Sequence, residues 1–127
     1  MEIIDKRVVV TGAASGIGKA LALAFKQADA RSVVVVDINT DGVEKTAKEI
    51  DGIAITADVA KEKDIENVIQ KANASAGGID IFCSNAGIGG TPGFIEVESS
   101  DWQYIWEVNV MSHIFAAKHL IPQMLEQ

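Results

Sequence analysis

One cysteine, Cys83, gives this chain no partner for an internal disulfide, which is the habit of a reduced protein and not of a secreted, cross-linked domain. Long apolar runs are missing as well. A helical membrane span needs roughly 18 consecutive apolar residues, and none occurs. The opening "MEIIDKRVVV" carries acids early and only a short apolar stretch, unlike a signal peptide. Positive charge is scarce and scattered, with 11 Lys and Arg against 18 Asp and Glu and a net charge of -7. A nucleic-acid groove or an anionic membrane surface needs clustered positive charge, so neither partner is expected. A phosphate-bearing small molecule stays open, because backbone N–H groups can hold it without cations. The two histidines, His113 and His119, fall about 240° apart on a helix. They cannot share a metal, and no metal site is expected.

What remains is a globular composition. The chain has 127 residues, 48% hydrophobic and 23% charged, which suits one cytoplasmic domain with a real core. Its texture alternates. Apolar, β-branched runs occupy 7–12, 32–37, 53–58 and 79–87. The run "VVVV" within the second implies a strand covered on both faces, as in parallel sheets. Cys83, inside the fourth run, reads as a small core residue.

Helical spacing fills the gaps. Ile17, Leu21, Ala24, Phe25 and Ala28 form one stripe. Val43, Ala47 and Ile50 form a second, with Asp41 and Glu44 spaced as a capping box. Ile65, Val68, Ile69 and Ala72 form a third, closed by "AGG" at 76–78 as C-cap glycines close a helix. A Gly- and Pro-rich loop, "GIGGTPGF", precedes one long helix from about Ser100 to the end, with Ser100 and Gln103 at capping-box spacing. Pro122 should kink that helix or mark its last turns. The order β-α-β-α-β-α-β with right-handed crossovers gives an α/β fold, a doubly wound parallel sheet.

The stretch "TGAASGIGK" (11–19) sits where the first strand becomes a helix. A P-loop would need Ser or Thr after Gly18-Lys19 and a glycine at position 13; Ala20 and Ala13 stand there instead. A dinucleotide loop fits better: strand, glycine turn, helix N-terminus, and an acid, Asp37, at the end of the next strand. Gly12 permits the turn, Gly16 lets a pyrophosphate approach the backbone, and Gly18 lets the helix pack close to the sheet. The helix N-terminus offers free N–H groups and a partial positive charge to the diphosphate.

The spacing Thr11-Gly12-x-x-x-Gly16-x-Gly18, followed in order by "ADV" (57–59), "NAG" (85–87) and "VNV" (108–110), resembles the short-chain dehydrogenase/reductase family along the whole chain. The resemblance implies an NAD-binding domain over 1–127, a Rossmann-type doubly wound parallel sheet with strand order 3-2-1-4. In the loop it assigns cofactor binding to Thr11, Gly12, Ser15, Gly16, Ile17 and Gly18, with the backbone of Ile17 at the diphosphate. Asp37, with Ile38 beside it, accepts from the adenosine ribose and repels a 2′-phosphate. With Ala13, Ala14, Ser15 and Ile38 where NADP-preferring relatives carry Arg or Lys, NAD is expected over NADP. Asp58 meets the adenine amino group with Val59 beside the ring, unless Asp58 only caps a helix. Asn85 braces the sheet, while Ala86 and Gly87 pass near the nicotinamide-side ribose. Asn109 is the one catalytic residue the family pattern finds here, holding a water in a proton relay; a purely structural amide is the alternative.

The family's catalytic Ser and its Tyr-x-x-x-Lys pair are not found. Tyr104, the only tyrosine, is followed four residues on by Val108 and precedes Asn109, so it is not the family's tyrosine. Ser112 lies in the wrong element to be the catalytic serine. Glu96, Glu98 and Asp101 read as a solvated face. The expectation is therefore the front part of an oxidoreductase moving hydride between a nicotinamide cofactor and a small alcohol or ketone, truncated after the long helix, lacking the catalytic and substrate-binding remainder and inactive alone. The alternative is a non-catalytic dinucleotide-binding or assembly module. An open fourth-strand edge and an uncovered apolar side of the long helix point to a homo-oligomer.

Overall fold

The computed structural model describes residues 2–89 and 96–127. Its elements are β1 (Arg7–Thr11), α1 (Gly16–Gln27), β2 (Ser32–Asp37), α2 (Thr40–Ile50), β3 (Ile53–Thr56), α3 (Glu62–Ala76) and β4 (Ile81–Cys83). Then come α4 (Ser99–Trp106), a π-helical turn (Glu107–Met111) and α5 (Ser112–Leu125). The strands form one parallel sheet in the order β3-β2-β1-β4, as the family resemblance implies.

The valine runs explain the layers. Val33 and Val35 share a sheet face with Val8 and Val10 and pack against Ala22 of α1 and Val43, Ala47 and Ile50 of α2. Val34 and Val36, with Val9, face the other way onto Ile65, Val68, Ile69 and Ala72 of α3 and Ala116 and Leu120 of α5. Burying one such valine fully contributes about 1.5–3 kcal/mol. Consecutive valines in β2 therefore fasten helices to both faces of one sheet.

Several boundaries differ from the sequence pattern. β1 ends at Thr11, β3 at Thr56 and β4 at Cys83, so Asp58 and the Asn85–Gly87 stretch lie in loops rather than at the ends of strands. Beyond the strand ends, side chains receive backbone amides: Asp58 N donates to Asp64 Oδ2 at 2.9 Å, and Ala86 N to Thr11 Oγ1 at 3.0 Å. The α1 stripe is rotated. Ile17 is 74% exposed and Ala24 is also exposed, while Gly18 and Ala22 face the sheet. The helix turns this way because bare Gly18 sits on the Gly12 carbonyl, where a Cβ would come within 2.1 Å. Stripes two and three are buried as read, and left-handed Gly77 caps α3.

Helix starts also use other groups than expected. Asn39, not an Asp41–Glu44 box, caps α2 by accepting from Gly42 N at 3.0 Å. The capping box of α4 is Glu98 with Asp101, two residues before the expected Ser100 and Gln103. The long helix is not uniform, because the π turn interrupts it around Asn109. Pro122 lies in the last turn of α5. Residues 90–94 of the Gly- and Pro-rich loop lie outside the described residues. Cys83 is half-buried in β4, and burial pushes its thiol up. His119 Nε2 lies 3.1 Å from Glu62 Oε1, which also accepts from Lys118 Nζ at 2.7 Å, joining α5 to α3, while His113 is exposed.

Candidate cofactor cleft

The strand order reverses beside β1, with β2 and β3 on one side and β4 on the other. Loops leaving the C-terminal ends of β1 and β4 diverge at such a point and leave a crevice. A cleft of about 510 Å³ opens there. The glycine loop lines it with Gly12, Ser15, Gly16, Ile17 and Gly18; β2 and its exit add Asp37 and Ile38; the loop after β3 adds Asp58 and Val59; and the loop after β4 adds Asn85, Ala86 and Gly87.

Thr11 is the exception among the residues expected at the cofactor. It is 1% exposed and does not line the cleft. Its hydroxyl donates to the Cys83 carbonyl at 3.3 Å and accepts from Asn85 N at 2.9 Å and Ala86 N at 3.0 Å. Asn85 Nδ2 answers with a bond to the Thr11 carbonyl at 3.0 Å. Thr11 and Asn85 thus lash the first glycine turn to the loop after β4. These bonds tie one strand exit to the other. They follow from β1 and β4 being neighbours, which puts both strand exits within reach of one hydroxyl.

The glycine turn is shaped for close approach. Gly12 adopts φ +69°, and a Cβ there would meet Ala86 Cα at 2.9 Å. Gly16 adopts φ +54°, and a Cβ there would stand in open space on the cleft side. Ser15 is the N-cap of α1, yet its side chain makes no capping bond and no acid occupies the first turn. Those amides carry the positive end of the helix dipole. Across the loop, Asp37 Oδ2 accepts from Ala14 N and Oδ1 from Asn39 N, each at 3.0 Å. Its carboxylate both stays at the cleft and holds the glycine loop. Asp58 is held in the same manner, with Ala60 N donating to its Oδ1 at 3.1 Å.

Asn109, expected as a catalytic residue, is not in the cleft wall. It sits in the π turn and makes two bonds to one backbone unit: Nδ2 donates to the Ile88 carbonyl, and Oδ1 accepts from Ile88 N, both at 2.9 Å. The amide is satisfied across a gap and not within its helix, so it pins the loop after β4 to the helical layer. Ala57, Ile88, Tyr104 and Val108 also line the cleft, and sequence reasoning missed them. The i, i+4 spacing of Tyr104 and Val108 was the available signal.

A sequence profile of the short chain dehydrogenase family matches residues 6–127. A CLA biosynthesis dehydrogenase/reductase of Lactiplantibacillus plantarum is 35% identical over 129 residues, taking in 97% of this chain and 44% of its own length. A 3-ketoacyl-(acyl-carrier-protein) reductase from Brucella melitensis, solved with NADH, superposes with a TM-score of 0.93 at 35% identity over 98% of this chain and 52% of that one. An L-sorbose reductase from Gluconobacter frateurii, solved with NADPH and L-sorbose, gives 0.88 at 31% identity over 98% of this chain and 50% of that one. The chain spans about half the length of these relatives. Profile, relatives, strand order and glycine turn agree, and the chain belongs to the short-chain dehydrogenase family.

Proposed function

We propose that this chain is the NAD(H)-binding portion of an oxidoreductase that acts on a small alcohol or ketone. The observation that carries the reading is the open, uncapped start of α1 at Gly16, set beside the Asp37 carboxylate in one cleft. The residues fit a dinucleotide by their chemistry. Bare amides of Gly16, Ile17 and Gly18 suit a diphosphate. Asp37 offers acceptors to ribose hydroxyls and repels a 2′-phosphate, and Asp58 offers acceptors to an adenine amino group. Asn85, through Thr11, and Asn109, through Ile88, hold the opposite wall where the nicotinamide half would lie.

When bound, the cofactor supplies the nicotinamide ring that gives or takes a hydride. The chain's own work in the reaction is to bind and orient that cofactor. Asn109 keeps the loop of Ile88 at its fixed distance from the helix, and we assign it the proton-relay role through that position. The buried Val108 stands four residues after Tyr104, where a Tyr-x-x-x-Lys pair would carry its lysine, and Tyr104 serves as wall. Among the described residues no helix is long and apolar enough to cross a membrane. We place the working protein in the cytoplasm as a homo-oligomer, a reading supported by the exposed Trp106, Ile114 and Ile121 on α4 and α5.

The test is a titration with NADH and NADPH, exciting Trp102 and Trp106 of α4 and reading emission from the reduced nicotinamide. Saturable NADH binding with weaker NADPH binding is expected. Asp37→Ala should narrow the difference between the two while lowering affinity for both, because Ala14 N loses its partner. No saturable signal at millimolar NADH refutes the reading, and unchanged relative affinities in Asp37→Ala refute the selector role.

A further inference from the structure

The loop from β3 to α3 is tied down at several points. Ala57 N donates to the Asp37 carbonyl at 3.0 Å, which links the loop to β2. One residue on, Asp58 N donates to Asp64 Oδ2 at 2.9 Å. Within the loop, Ala60 N meets Asp58 Oδ1 at 3.1 Å, Lys61 N meets the Asp58 carbonyl at 3.0 Å, and Lys61 Nζ lies 3.3 Å from Asp58 Oδ2. The two carboxylate oxygens of Asp58 provide about four lone-pair sites between them. One amide and one ammonium leave acceptor positions free in the cleft that Asp58 lines.

Asp64 itself does not line that cleft. It lies in the first turn of α3 and borders a small hollow with Asn67 and Lys71. The helix N-terminus favours its negative charge. Its hold on Asp58 passes through the Asp58 backbone, and that amide sets where the Asp58 side chain leaves the chain.

We propose that Asp64 is a positioning residue for recognition of the purine 6-amino group, fixing the direction in which Asp58 presents its carboxylate to the cleft. The inference rests on the proposed reading that Asp58 faces the adenine base. A carboxylate aimed at position 6 favours an amino group, which donates, over a carbonyl oxygen, which cannot. Hypoxanthine has the carbonyl there, so preference for adenine over hypoxanthine measures the aim of Asp58.

The experiment titrates NADH and reduced nicotinamide hypoxanthine dinucleotide by tryptophan-to-nicotinamide energy transfer, since both probes carry the same reporter. The wild-type chain should bind NADH about tenfold more tightly, the scale of one hydrogen bond to a charged group. Asp58→Ala should bring that ratio close to one. Asp64→Ala should cut the ratio about threefold or more, whereas Asp64→Asn, which keeps an acceptor oxygen, should preserve it. General loosening of the fold weakens both ligands alike and leaves the ratio unmoved. A wild-type ratio in Asp64→Ala together with a collapsed ratio in Asp58→Ala overturns the proposal and leaves Asp64 a helix-terminal residue only. A wild-type ratio in Asp58→Ala also overturns it, by removing the adenine contact on which it depends. Saturable NADH binding in that case leaves the dinucleotide reading standing.

Discussion

Replacing Asp80 with Asn tests how the end of the sheet opposite the cleft supports the fold. Arg7 opens β1, and Asp80 directly precedes β4. Arg7 Nε and its backbone N both donate to Asp80 Oδ2, at 2.8 and 2.7 Å, while a guanidinium nitrogen reaches Oδ1 at 2.7 Å. The same guanidinium donates to the Gly77 carbonyl at the end of α3. β4 pairs with β1 over only three positions, from Val8–Ile81 to Val10–Cys83, so this cluster is a large share of what holds β4 in place.

The hydrogen bonds from Arg7 bring the Asp80 carboxyl down from its ordinary 3.8 to about 2, against a smaller upward push from burial. At about 1.4 kcal/mol per pH unit, that drop corresponds to roughly 2 kcal/mol of stability. The Asp80 side chain is only 20% exposed, so solvent screening removes a minor part. Because the folded-state value is depressed, the stabilisation is complete above 3.8 and fades as pH falls through about 2. Urea unfolding followed by circular dichroism, from about pH 7 to about pH 2, should show Asp80→Asn less stable by about 1–2 kcal/mol at neutral pH, the gap closing at the acid end. Two stability curves that run parallel across the whole range would refute the assignment of acid sensitivity to this pair.

Thr11→Val keeps the β-branched shape but removes the hydroxyl that receives Asn85 N and Ala86 N. A cost of about 1–3 kcal/mol in urea unfolding is expected, with weaker NADH binding because Ala86 and Gly87 line the cleft; wild-type NADH affinity in this variant would count against the lashing role. Asn109→Ala loses both bonds to Ile88, which at about 0.5–1.5 kcal/mol each should lower stability by about 1–3 kcal/mol. Differential scanning calorimetry should record this as a fall of several degrees in Tm, and an unchanged Tm would show that the Ile88 loop does not depend on the amide.

The layering of helices on both faces of the sheet was legible because its causes are local. Four consecutive valines can be buried only between two helical layers, and the stripe Ile65–Ala72 has one way to face a sheet. The cleft's glycines were legible because each spacing answers to one steric need. Other features depended on contacts between distant parts of the chain. Ile17 fits an apolar stripe by counting, yet Gly18 must meet the Gly12 carbonyl, and that contact turns Ile17 out to solvent. Thr11 sits within the fingerprint of the glycine loop, but its partners lie more than seventy residues away and were invisible without β4 in place beside β1. The π turn at Asn109 has the same origin, since nothing in "WEVNVMS" announces it and the amide's partner is Ile88.

These long-range contacts share one pattern. Thr11, Asp37 and Asn109 each use a side chain to hold a backbone group of a different loop. A site meant to bind through bare peptide amides needs those amides fixed, and the groups that fix them must stand beside the ligand's path or behind it. Asp37 is the case where the two demands meet, because the carboxylate expected to choose between cofactors is also the anchor of Ala14 N in the glycine loop. Cofactor preference and loop order therefore cannot be changed independently at that position. A replacement that admits a 2′-phosphate must also supply an acceptor for Ala14 N, or it weakens binding of either dinucleotide.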